Sequence, residues 1–427
     1  MSVDSPPNPS PSREGGSLLG RLSQIPLYLQ ILAGLVLGVV VGVVLGPGAE
    51  ALDVPARLAL RVLGALAPPI VLLAVVHALL KADIKGRSAL RLGSLLVLNT
   101  LVAILVGLAV ANTVRPGRGA TLAAPEKAAS APKGDVVAQL LDNIPDSLFR
   151  PIVENKVIGV VMIAIAVGLA GRGFIGKKRQ ILEDGVETAF DLTIKILHWV
   201  IAIVPLAVFG KVASIVGVKG FAPFKALGAF VAAVLLALLI QSIWYIVRIR
   251  IGSWVRPGVM LRGMRDALVM AFSTASSTAT MPVTYECLRK IGLRERSASM
   301  GSLVGANFNN DGTALYEAMS ALFIAQMLGH QLSLVDQVMI VVTSVIASVG
   351  AAGIPEAGLV TMTLVFTAVR LPTEYIALLL TVDWFLDRCR TTINVLGDVN
   401  VSCLLDGKVR EGRDGGADPP AVAVAAG

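Results

Sequence analysis

Charge is scarce in this 427-residue chain: Asp, Glu, Lys and Arg make up only 15% of it. Soluble domains carry roughly a quarter, so a soluble globular protein is excluded. Aromatic residues are equally thin at 5%, while 42 Gly accompany an apolar mass of Ala, Val, Leu and Ile. That mixture suits close-packed helices and excludes an outer-membrane barrel with its alternating strands and aromatic girdles. Three cysteines, Cys287, Cys389 and Cys403, are too few and too scattered for a disulfide framework or a metal-ligand spacing. His77, His198 and His330 lack Cys, Asp or Glu at ligating intervals, which argues against a resident metal. No strand-to-helix elbow or polar His stands with the serine run around Ser276, so an intramembrane hydrolase is rejected and the chain is read as no enzyme.

What is present is hydrophobic length, with a mean hydropathy of +0.76. Uncharged runs at 22–49, 62–80, 92–114 and 226–247 each suffice for a span of about 20 residues. Shorter runs at 157–170 and 196–210 are expected to extend as tilted or protein-buried helices. The Ser/Pro/Gly-rich residues 1–20 and the C-terminal end read as disordered tails, and 115–146 as a long loop. No cleavable leader opens the chain, so the first run is read as a retained span. The net charge of +8 sits in short clusters around Lys81 to Arg91, Lys177 to Arg179, Arg248 to Arg265 and Arg289 to Arg296. Such clusters orient a membrane protein with these segments and both termini in the cytoplasm, and they do not indicate nucleic acid as a partner.

The last third departs from simple spans. Residues 267–283 contain Ser273-Thr-Ala-Ser-Ser-Thr-Ala-Thr-Met-Pro282, and 338–369 contain Gly350-Ala-Ala-Gly-Ile-Pro-Glu-Ala-Gly358. Backbone freed by small residues and proline at membrane depth must be satisfied by protein or water, so two such segments predict a lined cavity. A polar helix follows each. In the first, Gly305 to Thr313 combine glycines that permit unwinding with amides and Asp311, the ingredients of a hard-cation site. In the second, Asp383, Asp387, Arg390, Thr391, Asn394 and Asp398 recur every three or four residues along one helical stripe. Ionisable groups in a span mark ion or substrate paths, the alternative being a salt-bridge network between helices. Asp387, Arg390 and Asn394 together offer an acceptor for an ammonium, a forked donor for a carboxylate and an amide, a trio suited to an acidic amino acid.

Four motifs in order, SSTATMP, NDGTALYEA, AAGIPEAGLVTM and VDWFLDRCRTTINVLGD, resemble the dicarboxylate/amino acid:cation symporter family, the glutamate and neutral amino acid transporters. The likeness is dense over 257–405 and collinear before it. It implies an all-α integral membrane fold of about eight transmembrane helices plus two re-entrant hairpins, arranged as inverted repeats in an elevator-type transporter. The implied units are scaffold helices 1–2 (21–91), transport-domain helix 3 (92–114), a loop with scaffold helices 4–5 (115–220), and the transport domain (221–405), with tails at 1–20 and 406–427. A homotrimer in the inner membrane is implied too.

By the same resemblance, hairpin tips near Ser277 and Gly353 clasp substrate between two unwound helices. Asp387 and Thr391 hold its ammonium, Arg390 and Thr313 its side-chain carboxylate, and Ser277 and Asn394 its α-carboxylate, with Ser276 and Gly353 also counted among the substrate-binding residues. One Na+ lies among the carbonyls of Gly305, Asn309 and Asn394 with Asp398. A second lies near Ser348, Val349, Ala351 and the backbone of Asn307, and a third uses Asp311 and Asn309 with Asn99 and Thr100. Sodium is transported, and no organic cofactor is implied. Glu317 resembles the carboxylate with which animal glutamate transporters take up a proton, and Arg388 their displaced arginine, which other relatives carry where Ala275 stands here. Leu96 and Asn310 replace a tyrosine and a methionine of the family's cation sites, Phe308 is similar to the proton-driven bacterial branch, and Glu356 has no assigned role. Besides sodium- and proton-coupled import of glutamate or aspartate, a proton-driven C4-dicarboxylate or neutral amino acid symporter and a substrate-gated anion channel stay open.

Overall fold

The computed structural model describes residues 27–81, 87–118, 145–154, 157–350 and 357–409. The expected tail at 1–20, most of the loop at 115–146 and positions 410–427 lie outside the described residues. Every labelled element is helical: α1 Leu27–Leu45, α2 Val54–Lys81, α3 Arg87–Val114, α4 Val157–Arg172, α5 Lys177–Ile201, α6 Val204–Lys219 and α7 Ala222–Gly252 form the first part. The second part holds α8 Arg265–Thr274 and α9 Ser277–Lys290, then α10, made of Glu295–Ser299, a π turn Met300–Val304 and Gly305–Phe308, then α11 Asp311–Met327. It closes with α12 Leu334–Gly350, α13 Ala357–Ala368 and α14 Ile376–Asp406.

Among the described residues, Leu29–Lys81, Leu90–Val114 and Pro223–Gly252 are long and apolar enough to cross a membrane. Pro68 and Pro69 sit inside α2, a placement that membrane spans tolerate better than soluble helices do. The apolar run 196–210 is not one helix. It divides at Ala202 and Ile203 into α5 and α6, bent by 42°. Pro205 is the reason: lacking an N–H, it fits the first turn of α6 and cannot lie in the middle of a longer helix. α6 packs on α1 through Gly38, where a Cβ would fall 2.7 Å from the Phe209 carbonyl oxygen and 2.9 Å from Val212 Cβ. Small residues let two backbones meet in this way where lipid supplies no hydrophobic drive.

Both interrupted segments are helical hairpins. In the first, the break is Ala275, left-handed at φ 51°, followed by Ser276, whose hydroxyl accepts the Ala279 N–H at 3.1 Å and caps α9. Pro282, expected at the break, lies within α9. In the second, α12 and α13 flank residues 351–356, so Ala351, Gly353 and Glu356 lie outside the described residues. Two expectations about unwinding change. The helix after hairpin 1 opens at Asn309 and Asn310 (φ/ψ −101/69 and −98/48), not at its glycines. α14 is helical throughout its 31 residues, so one unwound helix, not two, faces the hairpins. α11 is buried along nearly its whole length and stands at the centre, packed against α3, α14 and hairpin 2.

Candidate functional site

The polar stripe of α14 is buried throughout: Asp383, Asp387, Arg390, Thr391, Asn394 and Asp398 all face protein. Arg390 is the largest fully buried side chain. Its Nη1 donates to Asp383 Oδ1 and its Nη2 to Asp387 Oδ1, each at 2.8 Å, and the guanidinium lies 4.0 Å from the centre of the Tyr316 ring. Desolvating one cation is offset by two carboxylates and an aromatic face. Gly312 makes this meeting of helices possible. A Cβ there would fall 2.7 Å from the Arg390 carbonyl oxygen, and the Gly312 N–H donates to Asn394 Oδ1 at 2.8 Å.

Hairpins close on this centre from both sides. Ser277 Oγ donates to the Ala306 carbonyl at 3.0 Å, tying the first tip to α10, while Ser276 is spent as the cap of α9. From the second hairpin, a Cβ on Gly358 would meet Thr313 Cγ2 at 3.2 Å and Arg390 Nη2 at 3.4 Å. Asn394 Nδ2 lies 3.5 Å from Thr313 Oγ1 and 3.4 Å from Asn310 Oδ1. Thr313, Asp387, Arg390 and Asn394 thus lie together where α11 meets α14, with Thr391 buried on the same helix and Ser277 tied instead to α10.

Among the cation candidates, two oxygens stand out. Asp398 Oδ1 and Asn309 Oδ1 are buried with no hydrogen-bond partner, and a Cβ on Gly305 would collide with Asp398 Oδ1. Asn309 bridges the two helices, its N–H donating to Gly305 O at 2.7 Å and its Nδ2 to Asn394 O at 3.1 Å. A buried carboxylate oxygen without a donor costs free energy unless a cation meets it. The donor set of carboxylate and neutral oxygens fits a hard cation such as sodium.

At the second expected position, Asn310 Nδ2 donates to the Ser348 carbonyl at 3.0 Å, giving Asn310 a role in holding α12. Asn307 is exposed, its side chain bonded to Leu303 O. The side chain of Val349, with Ala351 and Gly353, lies outside the described residues.

Glu317 is fully buried. Its Oε1 accepts the Thr361 hydroxyl from hairpin 2 and its Oε2 has no partner. Arg388, expected to act with it, is directed elsewhere: its Nη1 donates to the carbonyls of Phe272 (3.0 Å) and Ser273 on α8. Sequence reading missed Gln241, Tyr245 and Arg248 of α7, Asn400 of α14 and Thr361 of α13. The Tyr245 hydroxyl donates to Asp311 Oδ2, and Arg248 Nη1 donates to Asn99 Oδ1. The signal was there: residues 241, 245 and 248 form a polar line on one face of an apolar span.

Helices of membrane-spanning length, two hairpins and a buried charged stripe between them define an all-α membrane transporter. The sequence profile of the Sodium:dicarboxylate symporter family matches residues 27–408, and the chain belongs to that family of transporters, which are not enzymes. It is a multi-pass membrane protein. It is similar to proteins named Excitatory amino acid transporter 3: 31% identical to those of Homo sapiens and Oryctolagus cuniculus over 406 residues, 81% of this chain and 76% of each relative. A match to that of Mus musculus is 40% identical over 250 residues, 57% of this chain and 47% of that protein.

Proposed function

We propose that this chain is a secondary active symporter that imports acidic amino acids with sodium by alternating access. The observation that carries the reading is the fully buried Arg390 guanidinium between two carboxylates beneath hairpin 2. Two carboxylates and one guanidinium leave one negative charge in excess, matched to a substrate ammonium. The side-chain carboxylate of glutamate or aspartate takes Nη2 from Asp387, and Asp387 turns to the ammonium, so one ion pair becomes two without exposing a bare charge. Thr391 joins Asp387, Thr313 joins Arg390, and Ser277 and Asn394 receive the α-carboxylate. The names of the relatives support the substrate class.

Sodium is assigned to the oxygens of Gly305, Asn309, Asn394 and Asp398, supported by the two orphaned oxygens there. A second sodium is assigned to Ser348, Val349, Ala351 and the Asn307 backbone, and Gly353 to the substrate gate. Glu317 is proposed as the site of proton coupling, and Arg388 as a clamp on hairpin 1. Helices 1–2 and 4–5 (21–91, 115–220) form a scaffold of a homotrimer in the inner membrane, and 92–114 with 221–405 move as an elevator. Both termini lie in the cytoplasm. The orientation is supported by basic clusters that share ends: Lys81 pairs with Glu187 near Arg179, which reaches the Leu80 carbonyl, and Arg91 and Arg294 both bind the end of α14.

Uptake of radiolabelled glutamate and aspartate by proteoliposomes, with sodium, proton and potassium gradients imposed in turn, tests the reading. Accumulation driven by an inward sodium gradient is expected. Accumulation driven by protons alone would overturn sodium symport in favour of the proton-driven alternative, and substrate-gated current without accumulation would favour a channel. Glu317→Gln is expected to abolish the pH dependence of net uptake while exchange of acidic amino acid across the membrane continues; an unchanged pH profile would move proton coupling to another residue.

A further inference from the structure

The resemblance implies a cation among Asn99, Thr100, Asn309 and Asp311, and the residues around Asp311 do not fit one. Asp311 is fully buried at the crossing of α3, α7, α11 and α14. Its Oδ1 accepts the Thr100 hydroxyl at 2.6 Å and its Oδ2 the Tyr245 hydroxyl. Gly397 makes room for that second bond, since a Cβ there would fall 3.1 Å from Oδ2 and 3.0 Å from the Tyr245 oxygen. Asn99 is closed as well. Its Oδ1 accepts Arg248 Nη1, its Nδ2 lies 3.4 Å from Asn400 Oδ1, and its backbone carbonyl accepts Gln241 Nε2 at 3.4 Å.

The contrast with Asp398 decides the matter. There the carboxylate itself keeps an oxygen without a donor, as a visiting cation requires. Around Asp311 both carboxylate oxygens carry donors, and the amide oxygen of Asn99 lies under a guanidinium that also flanks the Trp244 ring at 5.7 Å. The guanidinium held on Asn99 Oδ1 occupies one of the implied ligands and, being close enough to interact electrostatically with Asp311, repels a second cation from the same set. We propose that Arg248 is a tethered cation that closes the Asn99–Thr100–Asp311 set to sodium, so that transport couples to one sodium fewer than the resemblance implies.

This rests on the sodium-symport reading, and one titration separates the two. Binding of radiolabelled aspartate to the purified full-length protein is measured across sodium concentrations, and the slope of log affinity against log sodium gives the number of ions linked to binding. Removing the guanidinium opens the set, so Arg248→Gln should steepen that slope by about one ion relative to wild type, while Arg248→Lys, which keeps a cation there, should retain the wild-type slope. Equal slopes in wild type and Arg248→Gln would overturn the proposal. Should the Gln variant not accumulate, Arg248→Met, which keeps an apolar stem, is read by the same criterion. A wild-type protein whose binding ignored sodium altogether would remove the symport reading and this proposal with it.

Discussion

Arg390 concentrates the electrostatics of the site in one residue. It makes no surface contact, and its two carboxylate partners share its helix, so it is pre-aimed whether or not substrate is bound. Arg390→Cys should abolish binding of glutamate and aspartate while neutral amino acids such as serine bind or improve, because only a fixed cation compensates burial of a second carboxylate. Uptake competition with the two substrate classes checks this, and unchanged affinity for acidic substrates would refute it. The same change strands Asp383 and Asp387, and breaking a buried pair costs about 3–5 kcal/mol, so a lower melting temperature in detergent should accompany the altered selectivity. Asp398 makes the opposite case. With one oxygen already orphaned, Asp398→Asn removes a penalty as well as a ligand, so it should weaken the sodium dependence of substrate binding far more than it lowers the melting temperature. A sodium titration unmoved by that substitution would make the carboxylate structural.

At the scale of elements, the site depends on α11 meeting α14 at backbone distance. Gly312→Ala places a methyl 2.7 Å from the Arg390 carbonyl oxygen, and backbone cannot swing aside as a side chain can. Overpacking of this kind costs about 1–3 kcal/mol, so the variant should melt earlier and lose substrate affinity together. Wild-type affinity in Gly312→Ala would show that the helices can separate without cost. Much of this was legible in the sequence. The stripe of α14 follows from spacings of three and four, and the two interrupted segments announced a lined cavity through small residues at membrane depth, hairpins being what the resemblance implied. What was not legible depended on a partner. Glycines in α10 and α11 read as points of unwinding, and only the neighbours of Gly305 and Gly312 reveal them as points of close approach; Gly397 of α14, which drew no reading, is another. Arg248 read as one of a cytoplasmic cluster because composition cannot say which way a long side chain turns. The division of 196–210 at Pro205 was readable from proline chemistry and was masked by the continuity of the apolar run.

At the scale of the whole molecule, the proposed elevator requires that contacts between scaffold and transport domain be few in kind and breakable, while contacts within each are fixed. Within the proposed transport domain, α3 packs on α11 closely enough that a Cβ on Gly107 would fall 2.9 Å from the Leu315 carbonyl oxygen. Across the proposed boundary, Arg57, Leu60 and Arg61 of α2 share one open cleft with Thr373 and Glu374, the short turn Thr373–Tyr375 that leads into α14. Lys211 marks the same boundary: its Nζ pairs with Asp53 Oδ2 at 3.3 Å within the scaffold and lies 5.9 Å from the Tyr375 ring on the other side. A cation over an aromatic face is worth about 0.5–2 kcal/mol, a contact weak enough to be remade in each cycle. Cysteines at Arg57 and Glu374, joined by a short bifunctional thiol reagent in a background lacking Cys287, Cys389 and Cys403, should arrest uptake while sodium-dependent substrate binding persists, because binding uses hairpins and helices on one side of the boundary. Treatment of either single-cysteine variant should leave uptake intact. Uptake that continued in the fully cross-linked double variant would show that these elements do not move relative to one another, and alternating access would then have to be carried by the hairpins alone.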